Sequence, residues 1–208
     1  LCIALASAKR CDVMVANPRA THAFTNAIRK RAKTDAIDAA VLRTFAQTMP
    51  FVPWTPPAPE VLELRALSRY LDQLTRDQTA LKNQLHAASA TKTASQFVRD
   101  NLTLRIEELS KAIMKVEAEL AAIAKRHPSI ATHLRNLESM PGIGTTTATR
   151  LVAEFLVLDP EMTSKQIAAW AGLDPRPRES GTSVKGKRPI TKRGNARVRH
   201  ALYMPALS

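Results

Sequence analysis

Apolar residues recur through the middle of the chain in two heptad runs. Leu64, Leu67, Leu71, Leu74, Gln78, Leu81, Leu85 and Ala88 are spaced alternately three and four residues apart, and Leu102, Ile106, Leu109, Ile113, Val116, Leu120 and Ile123 follow the same rhythm. Each run predicts a helix with one apolar seam, about three heptads long and flanked by charged residues. The small and polar stretch 88–96 predicts a turn or hinge between them. Two arrangements satisfy this pattern, an intramolecular antiparallel hairpin and a seam shared with a second copy. Gln78 resembles a register-setting polar residue in an otherwise apolar seam, which favours a hairpin that also dimerises. A plain helical-bundle core is the simpler alternative.

Outside the heptads the periodicity is shorter. Asp12-Val13-Met14-Val15-Ala16 reads as a short buried strand ended by Asn17-Pro18, with a helix following to about residue 30. A strand feeding a helix suggests the tail of an α/β unit. A second helix begins at Thr34-Asp35, where either residue can cap it. Five prolines and Trp54 between Pro50 and Pro59 predict a linker or an extended wrap. Thr163 and Gln166 form a capping-box pattern opening a short helix that Gly172 ends, and a last helix starts near Asn195. The chain is therefore expected to be mainly α.

Composition removes several classes. With 208 residues, 45% hydrophobic positions and only six glycines, the chain can bury a core and is not a disordered basic tail. No run approaches the ~18 apolar residues that span a bilayer, so no membrane partner is expected. Cys2 and Cys11 form neither a disulfide framework nor a metal-ligand set and fit a reducing compartment. The net charge of +13 points to a polyanion, nucleic acid first. It is uneven: residues 1–50 carry +5, 51–127 carry +2, 128–173 carry −1 and 174–208 carry +7.

Three segments carry candidate chemistry. In Leu137 to Val152, the run Met140-Pro141-Gly142-Ile143-Gly144-Thr145 resembles the helix-hairpin-helix of non-specific DNA binders. Glycines let backbone approach a phosphate, and the N–H groups opening the next helix point at it with the positive end of the dipole. Ile143 would pack the two helices together, and a tight turn between core helices explains the same residues more simply. Next, Leu173 to Arg197 is a Gly/Pro-punctuated basic loop in which Arg176, Arg178, Lys185, Lys187, Arg188, Lys192, Arg193 and Arg197 can neutralise phosphates. Ser180 or Ser183 could act there as a nucleophile, although loop serines are usually turn residues. Finally, Asp35 and Asp38 lie three apart on one helix face, where they could share a Mg2+ ion or simply be capping acids. His22, His86, His127, His133 and His200 are too scattered to read as ligands.

Taken in order, Arg31-Ala32-Lys33-Thr34-Asp35-Ala36-Ile37-Asp38-Ala39, the heptads, Met140-Pro141-Gly142-Ile143-Gly144, Ala169-Trp170-Ala171-Gly172-Leu173, Glu179-Ser180-Gly181-Thr182-Ser183 and Ile190-Thr191-Lys192-Arg193-Gly194-Asn195 resemble the DEDD transposases of the IS-one-ten insertion-sequence family. That family includes the IS-one-sixteen and IS-nine-oh-two types and Piv-like site-specific DNA invertases. The resemblance implies the end of a RuvC-like domain over 1–50, a Pro-rich linker over 51–60, a coiled-coil hairpin over 61–127 and a transposase C-terminal domain over 128–208. It maps two of four Mg2+-gathering acids onto Asp35 and Asp38, and the nucleophilic serine onto Ser180 ahead of Ser183. DNA is the implied substrate, an element-encoded guide RNA a second partner, homo-oligomers the assembly, and the bacterial cytoplasm, at the nucleoid, the location. In this reading the basic surfaces 19–43 and 176–199 form two halves of one composite site. The other two acids are expected upstream of Leu1, and the chain is expected to be truncated at both ends, binding nucleic acid without recombining it. A non-catalytic helix-hairpin-helix binding protein dimerised by its coiled coil is the alternative.

Overall fold

In a computed structural model, which describes residues 12–28, 34–91, 95–175 and 189–208, the chain is mainly helical and divides into two units, Leu1–Pro56 and Pro57–Ser208. In the first unit, α1 (Pro18–Ala27) starts with proline at its first position, where the missing N–H has no helical partner to lose. Asn17 caps it by accepting a hydrogen bond from the Arg19 N–H. Helix α2 (Asp35–Thr48) is capped by Thr34, whose hydroxyl accepts from the Ile37 N–H, so Asp35 is the first helical residue and not the cap. Phe24 and Phe45 meet edge to face, with centroids 5.4 Å apart and rings at 90°.

The strand expected at 12–16 does not form. Residues 12–17 lack regular structure, and Val13 accepts one bond, 2.7 Å long, from the Trp54 N–H of the Pro-rich segment. A strand is defined by a repeated ladder with a neighbour, and no neighbouring strand lies among the described residues. Val15 accordingly remains 56% exposed.

The second unit begins with α3 (Pro59–Ala90) and α4 (Gln96–Arg126), which run back to back as an antiparallel hairpin joined by residues 91–95. The two heptad seams face each other: Leu64, Leu71 and Leu74 are buried with Val116, Leu120 and Ile123, and Leu67, Leu109 and Ile113 pack beside them. Gln78 is answered inside the hairpin. Its Nε2 donates to the Ser110 hydroxyl at 2.8 Å, and that hydroxyl donates to the Ile106 carbonyl. This internal partner removes the reason to assign Gln78 to a seam between copies. A double-mutant cycle of Gln78→Ala and Ser110→Ala, followed by urea unfolding, should give a coupling of about 1 kcal/mol. A coupling near zero would leave the pair without a register role.

After the hairpin come α5 (Pro128–Glu138), α6 (Thr145–Phe155), α7 (Ser164–Ala171), α8 (Ala196–Tyr203) and a single 3-10 turn, Pro205–Leu207. Ile130 of α5 and Val152 and Ala153 of α6 complete the hairpin's core. A second cluster, Leu151, Ala171, Val198 and Ala201, ties α6, α7 and α8 together. The charged positions discussed below are thus held on helices that share two apolar centres. Among the described residues no helix is long and apolar enough to cross a membrane.

Candidate nucleic-acid interface

The basic loop leaves and re-enters the fold through a narrow stem. Helix α7 starts with the expected capping box of Thr163 and Gln166 and ends at Gly172 in the left-handed conformation. Past Gly172 the outgoing and returning strands pair: Pro175 and Ile190 form an antiparallel bridge, the Thr191 N–H donates to the Asp174 carbonyl at 2.9 Å, and the Lys192 N–H donates to the Gly172 carbonyl at 3.0 Å. The Thr191 hydroxyl also donates to the Asp174 carboxylate. Below the stem, the Asn195 N–H donates to the Trp170 carbonyl at 2.9 Å. Lys192 adopts φ +55°, a left-handed conformation that costs a non-glycine residue about 1 kcal/mol. Arg176, Arg178, Ser180, Ser183, Lys185, Lys187 and Arg188 all belong to the segment between the paired ends and lie outside the described residues. Lys192 and Arg193 are exposed at the foot of the stem.

Helices α5 and α6 flank the Met140–Gly144 loop, where the sequence predicts a helix-hairpin-helix. Ile143 is half-buried in the second cluster beside Leu137 and Leu151, joining the two helices. The two glycines differ. Gly142 has φ +80°, and a Cβ there would collide with the Ser208 hydroxyl and come within 3.2 Å of the Pro205 Cα. Its bare Cα accommodates the chain's own C-terminal turn. Gly144 precedes α6 as its cap and a Cβ on it would meet nothing within 4 Å. Both loop glycines are exposed, but only at Gly144 would an added Cβ enter open space. Thr145, the first residue of α6, is exposed.

A cluster that sequence reasoning missed lies at the junction of α3, α6 and α8. The Glu154 side chain, 5% exposed, accepts from Arg69 Nε at 2.7 Å and Arg69 Nη2 at 3.0 Å. It also accepts from Arg65 Nη2 at 3.1 Å and from Asn195 Nδ2 at 2.8 Å. Burial by itself pushes this carboxyl up, but hydrogen bonds from Arg69, Asn195 and Arg65 outweigh it and hold the pKa below the ordinary 4.5. The Arg69 guanidinium is raised in turn, mainly by its hydrogen bond to Glu154. Asn195 is doubly engaged, because its Oδ1 caps α8 by accepting from the Arg197 and Val198 N–H groups. One turn along α3, Asp72 pairs with Arg150 Nε at 2.6 Å and with Arg197 Nη1 at 3.3 Å. Arg197, read from sequence as a free phosphate contact, therefore already has a carboxylate.

A signal for this cluster exists in the sequence. Arg65, Arg69, Asp72, Arg76, Thr79 and Asn83 repeat at spacings of four and three, a polar stripe running beside the apolar seam of α3. A polar stripe normally means a solvated face, so its spacing alone does not distinguish solvent from a partner helix.

In the first unit, Asp35 and Asp38 are both exposed in the first turn of α2. No group of three or more His, Cys, Asp or Glu residues able to hold a metal lies among the described residues. Two accessible carboxylates on one side of a helix still fit Mg2+ in donor type and number, since that ion is commonly held by one or two carboxylates with substrate phosphates completing its shell.

Comparison with known proteins narrows the class to transposases. The family described as "Transposase IS116/IS110/IS902 family" matches residues 134–208, and a second, described as "Transposase", matches residues 1–89. The chain belongs to this IS110-type transposase family. Pilin gene-inverting proteins of Moraxella bovis and Moraxella lacunata are each 26% identical over 195 residues, covering 94% of this chain and 59% of theirs. The transposase for insertion sequence element IS1111A of Coxiella burnetii is 27% identical over 172 residues, 69% of this chain and 45% of its own. The chain thus spans less than two thirds of the length of these relatives.

Proposed function

We propose that this chain is the part of an insertion-sequence transposase or site-specific recombinase that binds DNA and contributes a serine nucleophile to strand exchange. The observation that carries the reading is the paired stem at Pro175 and Ile190, which joins the two ends of the segment bearing Ser180 and most of the loop's cations. Cations concentrated around a hydroxyl favour an anionic phosphodiester at that hydroxyl and stabilise the charge that grows on its oxygens during displacement. The Ser180 hydroxyl attacks phosphorus, one sugar oxygen leaves with a proton, and the phosphodiester bond is conserved as a serine–DNA linkage. A sugar hydroxyl of another strand then reverses the displacement, freeing the serine and joining new partners. Arg176, Arg178, Lys185, Lys187, Arg188, Lys192 and Arg193 hold the backbone, and the Gly144–Thr145 turn offers main-chain N–H groups to a further phosphate. Asp35 and Asp38 would hold Mg2+, which when bound polarises a phosphoryl oxygen. A structured RNA encoded by the element is the second nucleic-acid partner in this reading.

The test is a search for the covalent intermediate. The gene product carrying this sequence is incubated with element-end DNA and Mg2+ and resolved on a denaturing gel. A protein–DNA adduct should form, persist in Ser183→Ala, disappear in Ser180→Ala and fall at least tenfold in Asp35→Asn and Asp38→Asn. An undiminished adduct in Ser180→Ala would exclude that serine. Binding without any adduct, together with wild-type transposition by Ser180→Ala, Asp35→Asn and Asp38→Asn, would favour a non-catalytic binding protein.

A further inference from the structure

The polar stripe of α3 is answered residue by residue along half its length and then abruptly not at all. Arg65 and Arg69 meet Glu154, and Asp72 meets Arg150 and Arg197. Arg76, one turn further, is exposed and has no ion pair or hydrogen bond among the described residues, and the same holds for Asn83. At this point α3 borders a cleft of about 820 Å³, whose far wall is Arg150, Arg197 and His200 of α6 and α8. Three arginines share the cleft with one carboxylate, Asp72, which already lies between two of them. The lining therefore carries an uncompensated formal charge of +2 with His200 neutral. Thr79 adds little as a donor, because its hydroxyl proton is committed to the Thr75 carbonyl.

We infer that this cleft is a second backbone-binding site for a polynucleotide, with Arg76 and Asn83 as its contacts on α3 and Arg197 and His200 opposite. The inference rests on the nucleic-acid reading above and adds to it a site built from residues of α3, α6 and α8. From Arg76 to Asn83 the helix rises roughly 10 Å, the axial length of about three nucleotides of one strand, so the wall suits a run of phosphates better than a single one. Arg197 and His200 on the far wall belong to α8, within the segment 174–208 whose formal charge is +7. Asp72 has a definite task in this arrangement. It lies within ion-pair distance of Arg150 Nε and Arg197 Nη1 and so draws both guanidiniums to the cleft, each of which has further N–H groups to offer a ligand.

Fluorescence anisotropy with a labelled DNA duplex and the RNA duplex of the same sequence tests the site. Arg76 and Thr79 are exposed, so replacing them does not disturb a core. Arg76→Glu and Thr79→Glu should each weaken binding about tenfold at low salt and lower the slope of log K against log salt by about one, and Arg76→Lys should restore most of both. Lys115→Glu, an exposed residue of α4 away from the cleft, makes the same charge change as Arg76→Glu and reports the general electrostatic loss. A loss confined to the DNA duplex or to the RNA duplex supports the site and names its strand. If the unmodified chain binds both duplexes but Arg76→Glu and Thr79→Glu behave like Lys115→Glu, the cleft is not a binding site although the nucleic-acid reading stands. If the unmodified chain binds neither duplex at low salt, both fall.

Discussion

Glu154→Ala should lower the stability of the second unit by about 3 kcal/mol, read as a fall in the urea midpoint at pH 7 with little change in slope. The carboxylate is 5% exposed and takes hydrogen bonds from three side chains on two helices, so its removal strips Arg65, Arg69 and Asn195 of a shared partner at once. The arginines are 29% and 40% exposed and recover some water, which keeps the cost to the lower end of the range for breaking a buried pair. The pH dependence has a definite sign. The folded pKa of Glu154 lies below the ordinary 4.5, so its contribution is complete above that value and is lost as pH falls through the folded pKa. The unmodified chain should therefore lose stability on acidification below about 4.5 more steeply than Glu154→Gln, whose neutral amide does not titrate. Parallel acid profiles for the two proteins would show that the fold does not lower the Glu154 pKa.

Gly194→Ala should be as damaging, through backbone and not through charge. A Cβ at this position would overlap the Trp170 carbonyl oxygen and lie 2.8 Å from the Ala171 carbonyl carbon, and neither can move without unwinding the end of α7. Relief requires the returning strand to separate from α7, which breaks the Asn195-to-Trp170 and Lys192-to-Gly172 bonds and loosens the foot of the serine loop. The expected cost is about 3 kcal/mol, at the upper end for overpacking, and duplex binding by the loop should weaken with it. Gly144→Ala is the matched control: its added methyl enters open space and should change stability by less than about 1 kcal/mol. Equal unfolding midpoints for the two variants would remove the close approach as the reason for Gly194.

Both sites show what a linear pattern conveys. The heptads, the Thr163–Gln166 capping box, the Gly172 stop and the helix start near Asn195 are legible because each interaction spans at most a few residues. Ile143 was legible as the link between α5 and α6 because an apolar residue in a tight turn has few other places to go. The expected strand at 12–16 failed for the opposite reason. A strand's stability lies in its neighbour, and the five residues carry no information about whether one is there.

The charged cluster was the largest omission. Glu154 sits 89 positions from Arg65, 85 from Arg69 and 41 from Asn195, so no local pattern associates them. In a stretch of near-neutral charge it reads as one more helix-surface acid. Gln78 shows the same distance effect on a smaller scale. Its place in the seam was visible, but its partner Ser110 lies 32 positions away, and the hydrogen bond turns an apparent signal for a second copy into a contact within one chain.

The sequence by itself determined the helices, their ends, the apolar faces that must meet and the concentration of positive charge at the C-terminal end, because those follow from periods and compositions a few residues long. Only the tertiary structure decided which charges neutralise one another and which remain open. Arg69, Arg76 and Arg197 are equivalent in composition, yet one lies on a buried glutamate, one shares an aspartate and one faces an empty cleft. The physical reason is that electrostatic energy and desolvation depend on separation in space and on burial, both of which arise only when helices distant along the chain pack together.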